Sequence, residues 1–186
     1  MNRQHGITAG TYTRLIIDSG AVWKNYGETG QVCLGATRGG NTFNIETEYK
    51  EMEADGAKGV VKGSRRITRV TGTLVANFLE ISTDILQIAL PGSSSTTTGS
   101  PASYDVITRA LDIALTDYMT NVAIVGEMNG ESDPLVLILK NVLADGNLEI
   151  AFADNDESVI AVTFTAHFDP ASMDAEPWEI RKPIIA

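Results

Sequence analysis

Few residues of this chain have both the type and the spacing that chemistry requires. The densest polar cluster is Asp154-Asn155-Asp156-Glu157. Such oxygen ligands suit a hard cation. A helix–loop–helix calcium site, however, needs ligands at alternate positions, a central glycine and a glutamate at the twelfth position. That spacing is missing, so the run reads as a polar hairpin turn. His5, His167 and Cys33 are the only histidines and cysteine. They form no cluster of the kind that holds zinc. His167 sits opposite Phe168 on a strand-like segment, and Cys33 reads as a small packed side chain. Ser93, Ser94 and Ser95 have no base marked near them, which a serine nucleophile needs. Lys62-Gly63-Ser64 fails as a phosphate-binding loop, because that loop places a glycine before its lysine. No cofactor or metal is expected.

Leu15-Ile16-Ile17-Asp18-Ser19-Gly20-Ala21 is the sharpest enzymatic signal. It resembles the active-site turn of aspartic proteases, and Val122 to Gly126 loosely resembles the hydrophobic-glycine segment of their small dimeric members. That chemistry takes two carboxylates sharing one proton across a water. A homodimer supplies both from Asp18. The interval from Asp18 to Gly126 is long for those enzymes, no flap is evident, and Asp-Ser-Gly is equally a plain turn. A dimeric protease using Asp18 stands as an alternative.

Composition narrows the classes. The chain has 186 residues and a net charge of −10. One domain with arms fits that length, and roughly 70% of the unfolded surface can be buried. The longest apolar run, Leu135 to Leu139, is too short to cross a bilayer. The opening residues carry no apolar signal-peptide core, so no membrane partner is expected. Charge divides at residue 69. Residues 1–69 hold ten Lys/Arg against seven acids, a balance of +3, and residues 70–186 hold four against seventeen, a balance of −13. Neutralising nucleic-acid phosphates needs a net basic face, and the basic run Lys58 to Arg69 has no interleaved aromatics. A basic segment beside an acidic body suits contacts between copies.

The longest organised stretch is Leu34 to Leu79. Phe43, Ile45 and Tyr49 alternate with Asn44, Glu46, Glu48 and Lys50, the period of a half-buried strand. Val70, Leu74, Ala76 and Phe78 repeat it. Between them, Glu51 to Gly63 mixes Glu51, Glu53, Asp55, Lys58 and Lys62 with Gly56, Gly59 and Gly63. Glycine and alternating charge make a tip that projects rather than packs. A helix is expected over 82–90. Ser82 caps it, Ile81, Ile85, Ile88 and Ala89 share a face, and Pro91-Gly92 stops it.

Residues 1–12 read as a flexible arm, and Thr13 to Asp18 as a short strand. Residues 91–102 read as a low-complexity loop. Tyr104 to Leu115 fits either helix or strand. Residues 118–168 read as a four-stranded meander turning at Asn129-Gly130, Asp145-Gly146 and Asp154 to Glu157, with Leu148, Ile150 and Phe152 on one strand. The main domain spans 13–170, and 171–186 form a C-terminal arm. The fold class is mainly β: an antiparallel sandwich or barrel with one short α-helix and a long hairpin.

The Leu34-Gly-Ala-Thr-x-Gly-Gly turn, the strand, the charged glycine loop, and the long strand running into a helix resemble the major tail tube proteins of long-tailed bacteriophages. Leu15 to Asn25 and Val159 to Asp169 are similar to that family too, so the likeness spans about 12–182. It implies a structural virion protein of the phage tail, assembled in the host bacterial cytoplasm. Six copies form a ring, and rings stack into a hollow tube that DNA traverses without specific binding. It further implies tape-measure, tail terminator and distal tail proteins as partners. Under that reading Glu51, Glu53, Asp55, Gly56, Lys58, Gly59, Lys62 and Gly63 make the contact between rings. Glu46, Glu48 and Glu149 face the lumen, where acid repels phosphate. A tail terminator or a contractile-secretion tube protein is the nearest alternative.

Overall fold

The computed structural model describes residues 6–7, 11–99, 103–152 and 154–184. In chain order the elements are β1 (Ala21–Lys24), β2 (Val32–Cys33), β3 (Thr42–Glu51), β4 (Arg65–Phe78), α1 (Thr83–Ala89), β5 (Ser93–Thr98), β6 (Tyr104–Arg109), β7 (Met119–Gly126), β8 (Leu135–Ala144), β9 (Ile160–Ala166) and β10 (Trp178–Arg181). The described chain is mainly β, its strand pairs are antiparallel, and α1 is the one α-helix among the described residues.

The main sheet has the order β2-β1-β7-β8-β9-β4-β3. It forks at β8. One side of that strand pairs with β7; the other takes β10 along Val136 to Leu139, then β9 along Val142 to Ala144. Alternation decides which face is dry. β4 buries Leu74, Ala76 and Phe78, and β9 buries Ile160, Val162, Phe164 and Ala166. Phe78 meets Phe164 edge-to-face at 6.5 Å, a geometry that aromatic quadrupoles favour. Each such ring contributes roughly 1.5–3 kcal/mol by leaving water. α1 lays Ile85 and Ala89 on this core, its start fixed by Ser82 Oγ, which accepts the Ile85 N–H at 3.2 Å. Asn121 is the buried polar residue of the described core. Its Oδ1 accepts the Tyr26 N–H and its Nδ2 donates to the Tyr26 carbonyl, so no buried amide is left unpaired there.

Several expectations are corrected. Residues 93–98 are not loop: β5 pairs with β6 from Ser93↔Arg109 to Thr98↔Tyr104. Its side chains beyond Ser93 are exposed, so backbone bonds hold this strand without burial. Asp105 reinforces it, accepting from Thr97 and Thr83 hydroxyls at 2.8 Å each. Tyr104 to Leu115 is strand only as far as Arg109. The meander has three long strands, not four. Leu148 and Ile150 do pack on the core while Glu149 points outward, but 145–159 carries no strand. Both sides of β8 are already occupied, so the alternation there has no ladder to join. Thr13 to Asp18 is a 3-10 turn at Tyr12–Arg14 followed by one bridge, Ile16↔Met128. The C-terminal segment is not simply an arm, since β10 completes the second branch beside β8. Within the expected N-terminal arm, 1–5 and 8–10 lie outside the described residues, as do 100–102 and 185–186.

Candidate functional site

The hairpin β3–β4 is built in three zones. Its base is clamped. Gly39 and Gly40 turn the chain with φ of +86° and +85°, a region open chiefly to glycine. Asn41 Nδ2 donates to the Ser19 carbonyl at 3.0 Å, and Asn77 Nδ2 donates to the Gly40 carbonyl at 2.8 Å. The Glu80 carboxylate accepts the Ala36 N–H at 3.1 Å. Arg38 donates to Asp156 at 3.0 Å and to Glu157. The acidic turn Asp154 to Glu157 is therefore a partner of this base. Asp156 is pulled below its ordinary pKa, first by the Arg38 hydrogen bond and then by that charge. No cluster suited to a metal exists among the described residues.

The stem changes character halfway. From Thr73 to Val75, β4 lies between β3 and β9, and from Ala76 to Phe78 it pairs with β9; from Arg65 to Gly72 its ladder is with β3 alone. A bulge lies within that outer stretch. Glu48 faces Arg69 but Tyr49 faces Ile67, leaving Thr68 as the extra residue, and its hydroxyl donates to the Glu48 carbonyl at 3.2 Å. Bulges raise local twist and re-aim side chains. Beyond it the ribbon pairs with no further strand among the described residues. Tyr49 and Ile67, a facing pair, are 54% and 57% exposed, so Tyr49 does not join the dry face that alternation predicts for it. The outer edge of β3 meets no strand among the described residues.

The wet face carries both charges. On it Glu48 pairs with Arg69 at 3.8 Å; on the opposite face Glu51 pairs with Arg65 at 2.6 Å, whose guanidinium also lies 5.6 Å from the Tyr49 ring centre. Lys50 faces Arg66. Glu46 faces Thr71, and its neighbours on β4 and β9 along that face are Thr73, Thr163 and Thr165. Hydroxyls thus dominate the proximal face, and cations offset the glutamates distally. Glu149 lies apart from Glu46 and Glu48, exposed on the connection between β8 and β9 rather than on a strand.

The tip consists of two tight turns. Ala57 N–H reaches the Ala54 carbonyl, and Ser64 N–H reaches the Val61 carbonyl. Gly56 and Gly63 adopt φ of +87° and +93°, whereas Gly59 does not need a left-handed conformation. Glu53, Asp55, Lys58 and Lys62 are all exposed. Sequence reasoning assigned the tip to charge and missed its apolar part: Met52, Val60 and Val61 are exposed as well. The available signal was Val60-Val61 standing between Lys58 and Lys62 in a glycine-rich loop.

Asp18 occupies a turn. Its Oδ2 accepts the Glu127 N–H at 3.2 Å, which is the main cause of its lowered pKa. Gly20 has φ of +71° and faces Ile124 so closely that a Cβ would lie 2.6 Å from its Cγ1. The Asp-Ser-Gly sequence is thereby explained as a turn that ties the start of β1 to the end of β7.

The sequence matches no family model and no curated relative. Among solved structures the fold is similar to a chain in the virion of a native gene transfer agent particle. The likeness covers 88% of this chain and 96% of that one, at 7% identity and a TM-score of 0.44.

Proposed function

We propose that the chain is a structural virion protein that closes into rings and stacks into the hollow tube of a long-tailed phage. One observation carries this reading. The distal hairpin exposes both a ten-residue strand edge and five large apolar side chains, Tyr49, Met52, Val60, Val61 and Ile67. Free edges are normally blunted or covered, and closure of a shared barrel by strands from neighbouring copies covers this one. An open head-to-tail contact between rings then extends the assembly as a filament. The sequence resemblance to tail tube proteins supplies the six-fold ring, and tape-measure, terminator and distal tail proteins as partners.

Under this reading the tip 51–63 joins rings, and the wet face with Glu46 and Glu48 lines the lumen. DNA crosses a wall of hydroxyls and mixed charge, which repels or ignores it. Replacing Glu46 and Glu48 by lysine is expected to leave tubes intact and impair genome delivery in a phage complementation assay. Unimpaired delivery counts against the lumen assignment.

Electron microscopy of the purified protein tests the main proposal. Tubes or six-fold rings are expected, and deleting 53–62 is expected to give folded subunits that no longer stack. Wild-type protein that stays monomeric at high concentration overturns the proposal. Rings that never stack favour a tail terminator instead.

A further inference from the structure

We infer that the Lys58–Lys62 tip of one copy seats in a specific groove at the far end of a second copy. This rests on the tube reading and names the receptor for its stacking contact. The groove, about 310 Å³, is lined beside α1 by Val32, Leu34, Ile88 and Met119 together with Asp84 and Asp117. Its lining thus combines apolar side chains with two carboxylates, and Lys24 is the one cation in it. The second turn of the tip is the complement, whereas Glu51, Glu53 and Asp55 belong to the part that precedes it. Val60 and Val61 are 65% and 55% exposed, and Lys58 and Lys62, flanking them, form no ion pair among the described residues.

Strand register places the two at opposite ends of the molecule. The tip precedes Arg65, the first residue of β4. The groove wall at Leu143 and Ala144 is level, through Thr165 and Phe164, with Thr73 and Leu74. At about 3.3 Å per residue that is roughly 30 Å along β4, and α1 lies beyond Phe78. The tip cannot reach its own groove, so a second copy is the occupant. A knob at one end and a socket at the other make a heterologous contact, which repeats without closing. Val60 and Val61 meet the apolar side chains of the lining, and Lys58 and Lys62 meet Asp84 and Asp117, which sets the register.

Cysteine cross-linking of the full chain tests this. In a Cys33→Ser background, Val60→Cys and Val32→Cys are introduced together; both positions are exposed, which spares the core. Mild oxidation is expected to give a ladder of dimers, trimers and higher species on a non-reducing gel, lost on adding reductant. Either cysteine alone is expected to stop at dimers. Tubes that form without a ladder overturn the docking and leave the tube reading standing. A ladder without rings supports the docking and overturns the ring. Neither rings nor a ladder overturns both. Independently, Lys58→Glu with Lys62→Glu is expected to abolish stacking, and adding Asp84→Lys with Asp117→Lys to the same chain to restore it. Stacking unchanged by the first pair overturns the ionic register.

Discussion

At the scale of single residues, what looks like chemistry is mostly geometry. Asp18 and Gly20 illustrate this. The carboxylate is spent on the Glu127 N–H, and the glycine is required twice over, by its φ of +71° and by Ile124 standing where a Cβ would sit. Gly20→Ala must therefore both strain the backbone and displace a partly buried neighbour, and each effect alone costs about 1–3 kcal/mol. A lowered urea midpoint with an unchanged slope is the expected result. Gly59→Ala serves as the contrast. Its backbone is not left-handed, and nothing lies within 4 Å of the added Cβ, so stability is expected to hold or rise slightly. Equal behaviour of the two variants would contradict this account of the turn.

At the scale of elements, legibility followed burial. The β3–β4 hairpin and α1 were readable because alternation and capping leave marks in sequence: Leu74, Ala76 and Phe78 on one strand, Ser82 at the helix start. β5 left none, because a strand of serine and threonine exposed on both faces has no periodicity to detect. The segment 147–152 fails in the reverse sense. Its alternation is real, with Leu148 and Ile150 against the core, yet no free sheet edge receives it. β10 is four residues in a segment punctuated by prolines, too short for a pattern. Of the candidate site, the tip was legible from glycine and charge, whereas the bulge at Thr68 and the exposure of Tyr49 depend on register. The division between core and tip gives a paired prediction. Phe164→Ala empties a fully buried position and is expected to cost about 3–5 kcal/mol. Val60→Ala with Val61→Ala is expected to stay within about 0.5 kcal/mol of wild type by denaturation and to reduce pelleting of assembled protein. A tip variant that unfolds, or that pellets normally, would show that the valines serve the subunit rather than its neighbour.

At the scale of the whole molecule, charge and shape point along the same axis. Copies that each carry −10 repel at long range, so any stack must place unlike charge in contact. The hairpin holds six of the fourteen Lys/Arg, against five acids, and the remainder after residue 69 is acidic. Under the proposed tube reading, contacts along the strand direction juxtapose the two, whereas side-by-side contacts use the β3 edge, where backbone hydrogen bonds do not depend on ions. Salt should therefore separate the two levels of assembly. Screening lengths fall from about 10 Å at 0.1 M to about 3 Å at 1 M. Over that range tubes are expected to shorten or fall into rings, while rings persist on their backbone and apolar contacts. Sedimentation velocity with negative-stain microscopy on the same samples reads both quantities. Tube length that is indifferent to salt would move the stacking energy from the lysines to Val60 and Val61 alone. Rings that dissolve before tubes shorten would mean that the β3 edge is not what holds a ring together.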